Sequence, residues 1–307
     1  MQLLRELARL GTIAAVAQAE FCTPSAVSQQ LSALEREAGL PLIRRSGRGV
    51  ELTTAGAELA ERAGAVLALL EEAEAALAAL RGELAGELRV GAFPTAVRTV
   101  LPAALVRLGA EHPRLELHVT ELDPADVPDA LRSGALDVAL VHEYDYVPVE
   151  PDPALATEPL LTEAISLAAA ASAQPDATPA ARRADADGHQ DPLRARREQP
   201  WILASPGTLC HLMAMRLCQA AGFTPRIRHY ADDFAAVLTL VAAGQGVALV
   251  PELALADRPP GVALTALPAR RRTLIAYRRG AEAHPAIAAC AAALRAATAD
   301  YLPGHSD

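Results

Sequence analysis

Apolar residues recur at helical spacing in short blocks at the start of the chain. LLRELARL (3–10) and TIAAVAQA (12–19) predict two short helices separated by Gly11, with Thr12 placed to cap the second by accepting a free backbone N–H. Thr23-Pro24 forms another cap followed by proline at the first helical position, so a third helix runs through SAVSQQLSALEREAG and stops near Gly39. Val27, Leu31 and Leu34 share one face of it, leaving Ser25, Ser28, Gln29 and Ser32 on the solvent side. PLIRRSGRGVELT then reads as a two-stranded ribbon turning at Ser46-Gly47.

Thr53 or Thr54 opens a long helix whose apolar positions are Leu59, Ala63, Val66, Leu70, Ala73, Leu77 and Leu80. Steps of four and three alternate without a break, a heptad seam about 40 Å long that suits pairing with a second copy. Gly82 to Gly86 reads as a hinge. Beyond it, strands and helices alternate: LRVGAF (88–93), LELHVTEL (115–122) and LDVALVHEY (136–144), then WILAS (201–205), RIRHYA (226–231) and GVALVP (246–251), each group with helices between. That βαβ rhythm predicts two α/β lobes with parallel strands, joined near residues 159–165 and 260–270. A last helix covers roughly Pro285–Tyr301, while 171–199 is rich in Ala, Pro, Arg and Asp and reads as a mobile surface segment.

Composition changes this picture in three ways. The net charge of −9 argues against a general nucleic-acid binder, yet over residues 1–60 six arginines balance six acids, and Arg44, Arg45 and Arg48 cluster in the ribbon. Such a local basic patch suits selective DNA binding with modest non-specific affinity. The four cysteines (22, 210, 218, 290) form no CxxC pair and no zinc spacing, so no metal or cofactor is expected. Cys210 and Cys218, eight residues apart on one helix, sit about 12 Å apart and cannot form a disulfide there. The uncharged stretch Phe234–Pro251 is divided by Gly-Gln-Gly at 244–246 into helix and strand, and the N-terminus lacks a signal-peptide pattern; no membrane association is expected.

The stretch GTIAAVAQAEFCTPSAVSQQLSALEREAGLPLIRRSGRGVELTTAG (11–56) resembles the DNA-binding module of LysR-type transcriptional regulators. PWILASPGTLCHLMAMRLCQAAGFTP and GQGVALVPELAL are similar to the second lobe of that family's effector domain. The resemblance covers essentially the whole chain. It implies a winged helix-turn-helix (1–56), a linker helix (57–82) and a two-lobed, periplasmic-binding-protein-like α/β effector domain (87–307). Lobe I would comprise about 87–160 and 268–307, and lobe II about 161–267. It also implies a cytoplasmic homodimer or homotetramer that binds double-stranded DNA, takes a small effector between its lobes and alters contact with RNA polymerase. Three departures stand out. Family members usually start several residues earlier. Glu20 stands where a buried leucine is common, so Phe21 is expected to fill that space while Glu20 turns to solvent. The segment 171–199 is longer than its counterpart.

Short polar side chains at a helix start let the backbone approach base edges. Ser25, Ser28 and Gln29 meet that need, Gln29 with the two-bond geometry for adenine, and Thr23 with the first free N–H groups can hold a phosphate. The family resemblance places Pro24, Ser25, Ser28 and Gln29 at its contacting positions. Arg44, Arg45 and Arg48 would neutralise phosphates or enter the minor groove. For the effector, ligands of α/β lobes gather at strand C-termini, which points to Thr95, Ser205 and Thr208 for a carboxylate, with Asp232 and Glu143 as acids facing it. An organic acid or an amino acid is the expected ligand class; simple helix capping by Ser205, Thr208 and Asp232 remains the alternative. No catalytic residues are expected: nucleophile elbow, HExxH, P-loop and dinucleotide fingerprints are all missing, and Ser205, His211 and Asp232 are explained by capping and packing. The competing readings are an exported solute-binding protein and a redox-sensing regulator.

Overall fold

The computed structural model describes residues 1–46, 49–80, 84–171, 191–256 and 258–301. Three short helices open it: α1 (Gln2–Leu10), α2 (Ile13–Ala19) and α3 (Pro24–Ala38). Their ends follow local chemistry. Gly11 takes φ 73° after α1, while the hydroxyls of Thr12 and Thr23 accept the N–H groups of Ala15 and Ala26, each at 3.2 Å. Leu4, Leu7, Val16, Val27 and Leu31 are all but fully buried, each worth roughly 1.5–3 kcal/mol of transfer free energy, and they close a small core with Leu42. Strands β1 (Ile43–Ser46) and β2 (Gly49–Leu52) pair antiparallel from Ile43↔Leu52 to Ser46↔Gly49. Glu35 fixes the start of this wing by accepting the N–H groups of Leu42 and Ile43 at 2.8 and 3.1 Å.

Thr53 caps the long helix α4 (Thr54–Ala79). A Cβ at Gly56 would stand 2.0 Å from the Leu42 carbonyl oxygen, so only glycine lets the helix pass this close to the wing. Two faces of α4 differ. Ala60, Ala63 and Ala75 pack inward, whereas Val66, Leu70, Leu77 and Leu80 of the heptad seam are 40, 56, 61 and 83% exposed. Ala63 therefore belongs to the chain's own core and not to the open stripe.

The larger part is built on a six-stranded sheet in the order β4-β3-β5-β10-β6-β9. Strands β3 (Gly86–Ala92), β4 (Leu115–Glu121) and β5 (Val138–Tyr144) are parallel neighbours, covered by α5 (Pro94–Arg98), α6 (Val100–Glu111), α7 (Val127–Arg132) and the late helix α10 (Pro285–Tyr301). Leu88, Val90, Leu101, Leu108, Ile275 and Leu294 form the core of this body. The second body contains β7 (Pro200–Leu203), α8 (Leu209–Ala220), β8 (Arg226–Tyr230), α9 (Phe234–Ala242) and β9 (Ala248–Pro251), packed around Trp201, Leu203, Met213, Leu217 and Val247. Two long strands run through both: β6 (Leu155–Ala170) and β10 (Val262–Arg278), antiparallel from Val262↔Ala170 to Arg278↔Leu155. The apolar rhythm that marks the parallel strands does not single these two out. Of the segment 171–199, residues 172–190 lie outside the described residues; Arg194–Arg196 form one 3-10 turn.

The helical N-terminal module docks on the first body. Glu6, 2% exposed, pairs with Arg9 and Arg5 and faces Arg132 Nε of α7 at 3.5 Å; Arg9 reaches Asp129 at 2.6 Å. Farther along, Arg278 pairs with Glu71 of α4 at 2.5 Å, and Gly280 lets the chain meet Ala68, where a Cβ would stand 2.1 Å from its carbonyl oxygen. The expectation for Glu20 and Phe21 is reversed. Phe21 takes a left-handed φ of 49° that turns it outward, 86% exposed, so it fills nothing. Glu20 stays half-buried and accepts both its hydrogen bonds from Gln2 Nε2 at 3.1 Å; burial pushes its carboxyl pKa up against that bond.

Candidate DNA-reading head and effector cleft

The start of α3 is open to solvent. Thr23, Pro24, Ser25 and Gln29 are exposed and Ser28 is half-buried. Thr23 Oγ1 lies 3.0 Å from Ser25 Oγ, and Ser28 donates to the Pro24 carbonyl at 2.9 Å, so all three hydroxyls at this tip are engaged within the helix start. Gln29 projects from the same face. In the wing, Arg44 lies across the ribbon from Glu51 and pairs with it at 2.9 Å; both side chains are exposed. Arg45 stands opposite Val50 in the ladder, and Arg48 lies outside the described residues. The head thus offers a polar helix tip beside a ribbon carrying arginine.

Between the two larger bodies lies a cleft of about 440 Å³. The strand ends converge there as strand-to-helix turns must. Thr95, buried at the start of α5, lines it from one side; Thr208, the cap of α8, and Asp232 line it from the other. Ser205 stands at the lip, giving its N–H and its hydroxyl to the two oxygens of Asp232, each at 2.7 Å. That carboxylate already occupies the donors that an anion would have used at Ser205. Thr208 accepts the His211 N–H at 3.2 Å and donates to the Ser205 carbonyl at 2.9 Å. His211 Nδ1 faces the Ala204 carbonyl at 2.9 Å, so the serine and the imidazole do not form a nucleophile–base pair.

Among the residues expected at the ligand, Ser205 does not itself line the cleft, and Glu143 lies elsewhere altogether. It lines a separate groove with Val149 and Leu274 and faces Arg272 at 3.7 Å. The reason is strand parity: in β5, His142 and Tyr144 turn inward and Glu143 turns away. His142 lines both spaces, with Phe93 and Tyr144 edge-on at 4.9 and 5.1 Å between centroids. Burial, with the nearby Arg271 charge, holds its pKa well below the usual 6.5, so the ring is neutral.

Arg271 is the residue the sequence pattern missed. In the run Arg270-Arg271-Arg272 of β10 the middle side chain must point opposite to its neighbours, and here it points in, 0% exposed. Its Nε donates to Glu163 at 2.7 Å, and Glu163 also accepts the Leu253 N–H at 2.6 Å. The guanidinium stacks 4.9 Å over the Phe93 ring. Its Nη1 and Nη2, like His142 Nδ1, have no partner among the described residues. Buried unsatisfied donors cost about 1–3 kcal/mol each, more when charged, which marks this wall as built for something other than stability. Cys210 lines the same cleft and shares a 3.2 Å contact with Tyr144 Oη; burial pushes its thiol up. One further cluster, Glu87, Glu116 and His118, sits exposed on β3 and β4 and does not line the cleft.

Residues 1–57 match the lysR family of bacterial regulatory helix-turn-helix proteins, and residues 81–299 match the LysR substrate binding domain. The chain belongs to the LysR family. Among its relatives, a probable hydrogen peroxide-inducible genes activator of Streptomyces viridosporus is 34% identical over 96% of this chain and 95% of that protein. The regulator TfdS of Cupriavidus pinatubonensis is 32% identical over 82% of this chain and 81% of its own length. A cysteine mutant of Corynebacterium glutamicum OxyR has the same fold, with a TM-score of 0.59 and 29% identity over 98% of this chain and 91% of that one. This LysR-family chain is therefore a DNA-binding transcriptional regulator with an effector-binding domain, as its sequence resemblance implied. Among its described residues no helix is long and apolar enough to cross a membrane.

Proposed function

We propose that this regulator acts in the cytoplasm as a homodimer, able to assemble further into a tetramer, that reads operator DNA and answers to a small carboxylate-bearing effector. The observation that carries the reading is the open stripe on α4: Leu70, Leu77 and Leu80 at heptad spacing are all more than half exposed. Leucines left in water at this spacing are covered when two such helices pair. Pairing places two α3 tips on one side, where Ser25, Ser28 and Gln29 would enter successive major grooves, Thr23 and Pro24 would lie at the phosphates, and Arg44, Arg45 and Arg48 would flank them. The effector, an organic acid or an amino acid, would enter the cleft beside Thr95, Thr208 and Asp232, with Ser205 at the lip, and the resulting change would reach RNA polymerase.

Peroxide sensing gains no support from the three thiols of the effector domain. A sensing cysteine needs thiolate character. Burial instead pushes Cys210 up, and Cys218 and Cys290, both raised to about 12, belong to different cores.

The test uses the full-length protein and the intergenic DNA beside its own gene. Leu70→Glu with Leu77→Glu should convert the dimer to monomer in sedimentation and weaken specific DNA binding at least a hundredfold. Gln29→Ala should cost about 1–3 kcal/mol of specific binding while sparing non-specific binding. An unchanged dimer in the double variant, or no retention of that DNA by the parent protein, overturns the reading.

A further inference from the structure

The buried Arg271 has a geometry that selects its ligand. A guanidinium has two forks that can hold a carboxylate, one along its Nε edge and one between its terminal nitrogens. Glu163 engages only the Nε edge, at 2.7 Å, and is itself held by Leu253. Arg271 lines the cleft together with the neutral His142, and the two buried nitrogens of its terminal fork have no partner among the described residues. A carboxylate fits that fork in its plane, with the Phe93 ring closing one face of the guanidinium.

The rest of the cleft is acidic. Glu121, Asp123, Asp126 and Asp232 line it, while the Arg271 charge is already offset by Glu163. A second anionic group on the ligand would meet this field unfavourably, and a cationic group would be drawn to it. Arg271, Asp123, Asp232 and Cys210 all line this one cleft, so its cationic and acidic groups face the same space. Asp232 is engaged by both Ser205 donors, and Glu121 and Asp126 are exposed to solvent; the half-buried Asp123, one oxygen of which accepts the Ala125 N–H at 2.9 Å, is the acid best placed to hold a cation out of water. Phe93, Leu122 and Phe234 supply apolar wall.

We propose that the ligand of this cleft is an α-amino acid with an apolar side chain. Its carboxylate sits on the terminal fork of Arg271, its ammonium faces Asp123, and its side chain lies along Phe93, Leu122 and Phe234. The proposal rests on the reading above that a carboxylate-bearing effector enters this cleft, and it makes that reading specific: a zwitterion, not a simple acid or a diacid.

Calorimetry on the full-length protein with matched probes tests it. L-leucine and L-phenylalanine should bind. Their deaminated acids, 4-methylpentanoate and 3-phenylpropionate, should bind at least tenfold more weakly. The decarboxylated amines, isoamylamine and phenethylamine, and the diacids isobutylmalonate and benzylmalonate should give no binding heat. Arg271→Met with Glu163→Gln, which strands no buried charge, should abolish binding of amino acids and acids alike. Asp123→Asn, whose amide oxygen can still accept the Ala125 N–H, should erase the amino acids' advantage and leave the acids' binding unchanged. If the deaminated acids bind as well as the amino acids, or if Asp123→Asn spares the difference, the zwitterion proposal is overturned while the carboxylate reading stands. If no carboxylate probe binds the parent protein, both fall.

Discussion

His142 shows how one side chain can couple the cleft to pH. Its ring is enclosed by Phe93, Tyr144 and the Arg271 charge, and burial, before that charge, holds its pKa well below the usual 6.5. The unfolded chain takes up a proton as pH falls through about 6.5; the folded chain does not. Folding stability therefore drops below that pH, by up to about 1.4 kcal/mol per pH unit for this one group. The half-buried Glu20 works the other way, since a raised carboxyl pKa in the fold means stability is recovered as pH falls. The informative quantity is thus the difference between His142→Gln and the parent. Urea unfolding at pH 7.5 and 5.5 should show the variant losing about 1 kcal/mol less than the parent between the two. Equal losses would mean that the imidazole is not kept neutral by its surroundings.

At the scale of elements, α7 stands between the cleft and the DNA-binding module. The loop Glu121–Asp126 that lines the cleft runs directly into α7, whose Asp129 and Arg132 hold Arg9 and Glu6 of α1. Arg132 is 4% exposed and is also paired with Asp152 and Asp129. Arg132→Met should cost about 1–3 kcal/mol, because Asp152 and Asp129 lose their guanidinium and the buried Glu6 keeps only Arg9 and Arg5 against its charge. Adding Glu6→Gln should recover the part of that loss that comes from Glu6, a non-additivity that chemical denaturation of the two single variants and the double variant would measure. Additive costs would show that the two side chains do not depend on each other. Legibility in the sequence follows the same division between local and distant causes. Helices α2 to α4 could be read because their caps, Thr12, Thr23 and Thr53, bond to groups three residues away. Strands β6 and β10 could not, because each is stabilised by a partner about a hundred residues distant and their residues alternate too weakly to announce it. The cleft residues divide likewise. Thr95, Thr208 and Asp232 follow from strand ends, whereas choosing Glu143 over His142, and overlooking Arg271, are one-residue errors of strand parity that only the ladder register resolves.

For the whole molecule the open question is how a chain of net charge −9 approaches a polyanion. Beyond a Debye length of about 8 Å at physiological salt the acidic body is screened, so the charges that count are those at the wing itself. There Arg44 is paired with Glu51, and Glu51 is held ionised, its pKa lowered by a hydrogen bond from Ser46 and then by Arg44. A phosphate approaching Arg44 must compete with that carboxylate and is repelled by it. Glu51→Gln removes both obstacles without altering the ribbon's length or its ladder. It should tighten binding to the target DNA about two- to fivefold at 0.1 M salt, the range of one exposed charge pair. Arg44→Ala should instead weaken binding and lower the slope of log affinity against log salt by about one. The Glu51→Gln gain should also fade as salt is raised to 0.5 M, since it is electrostatic. Gel-shift titrations across that range would separate the two effects, and a Glu51→Gln protein that binds no better at low salt would place Arg44 away from the phosphates.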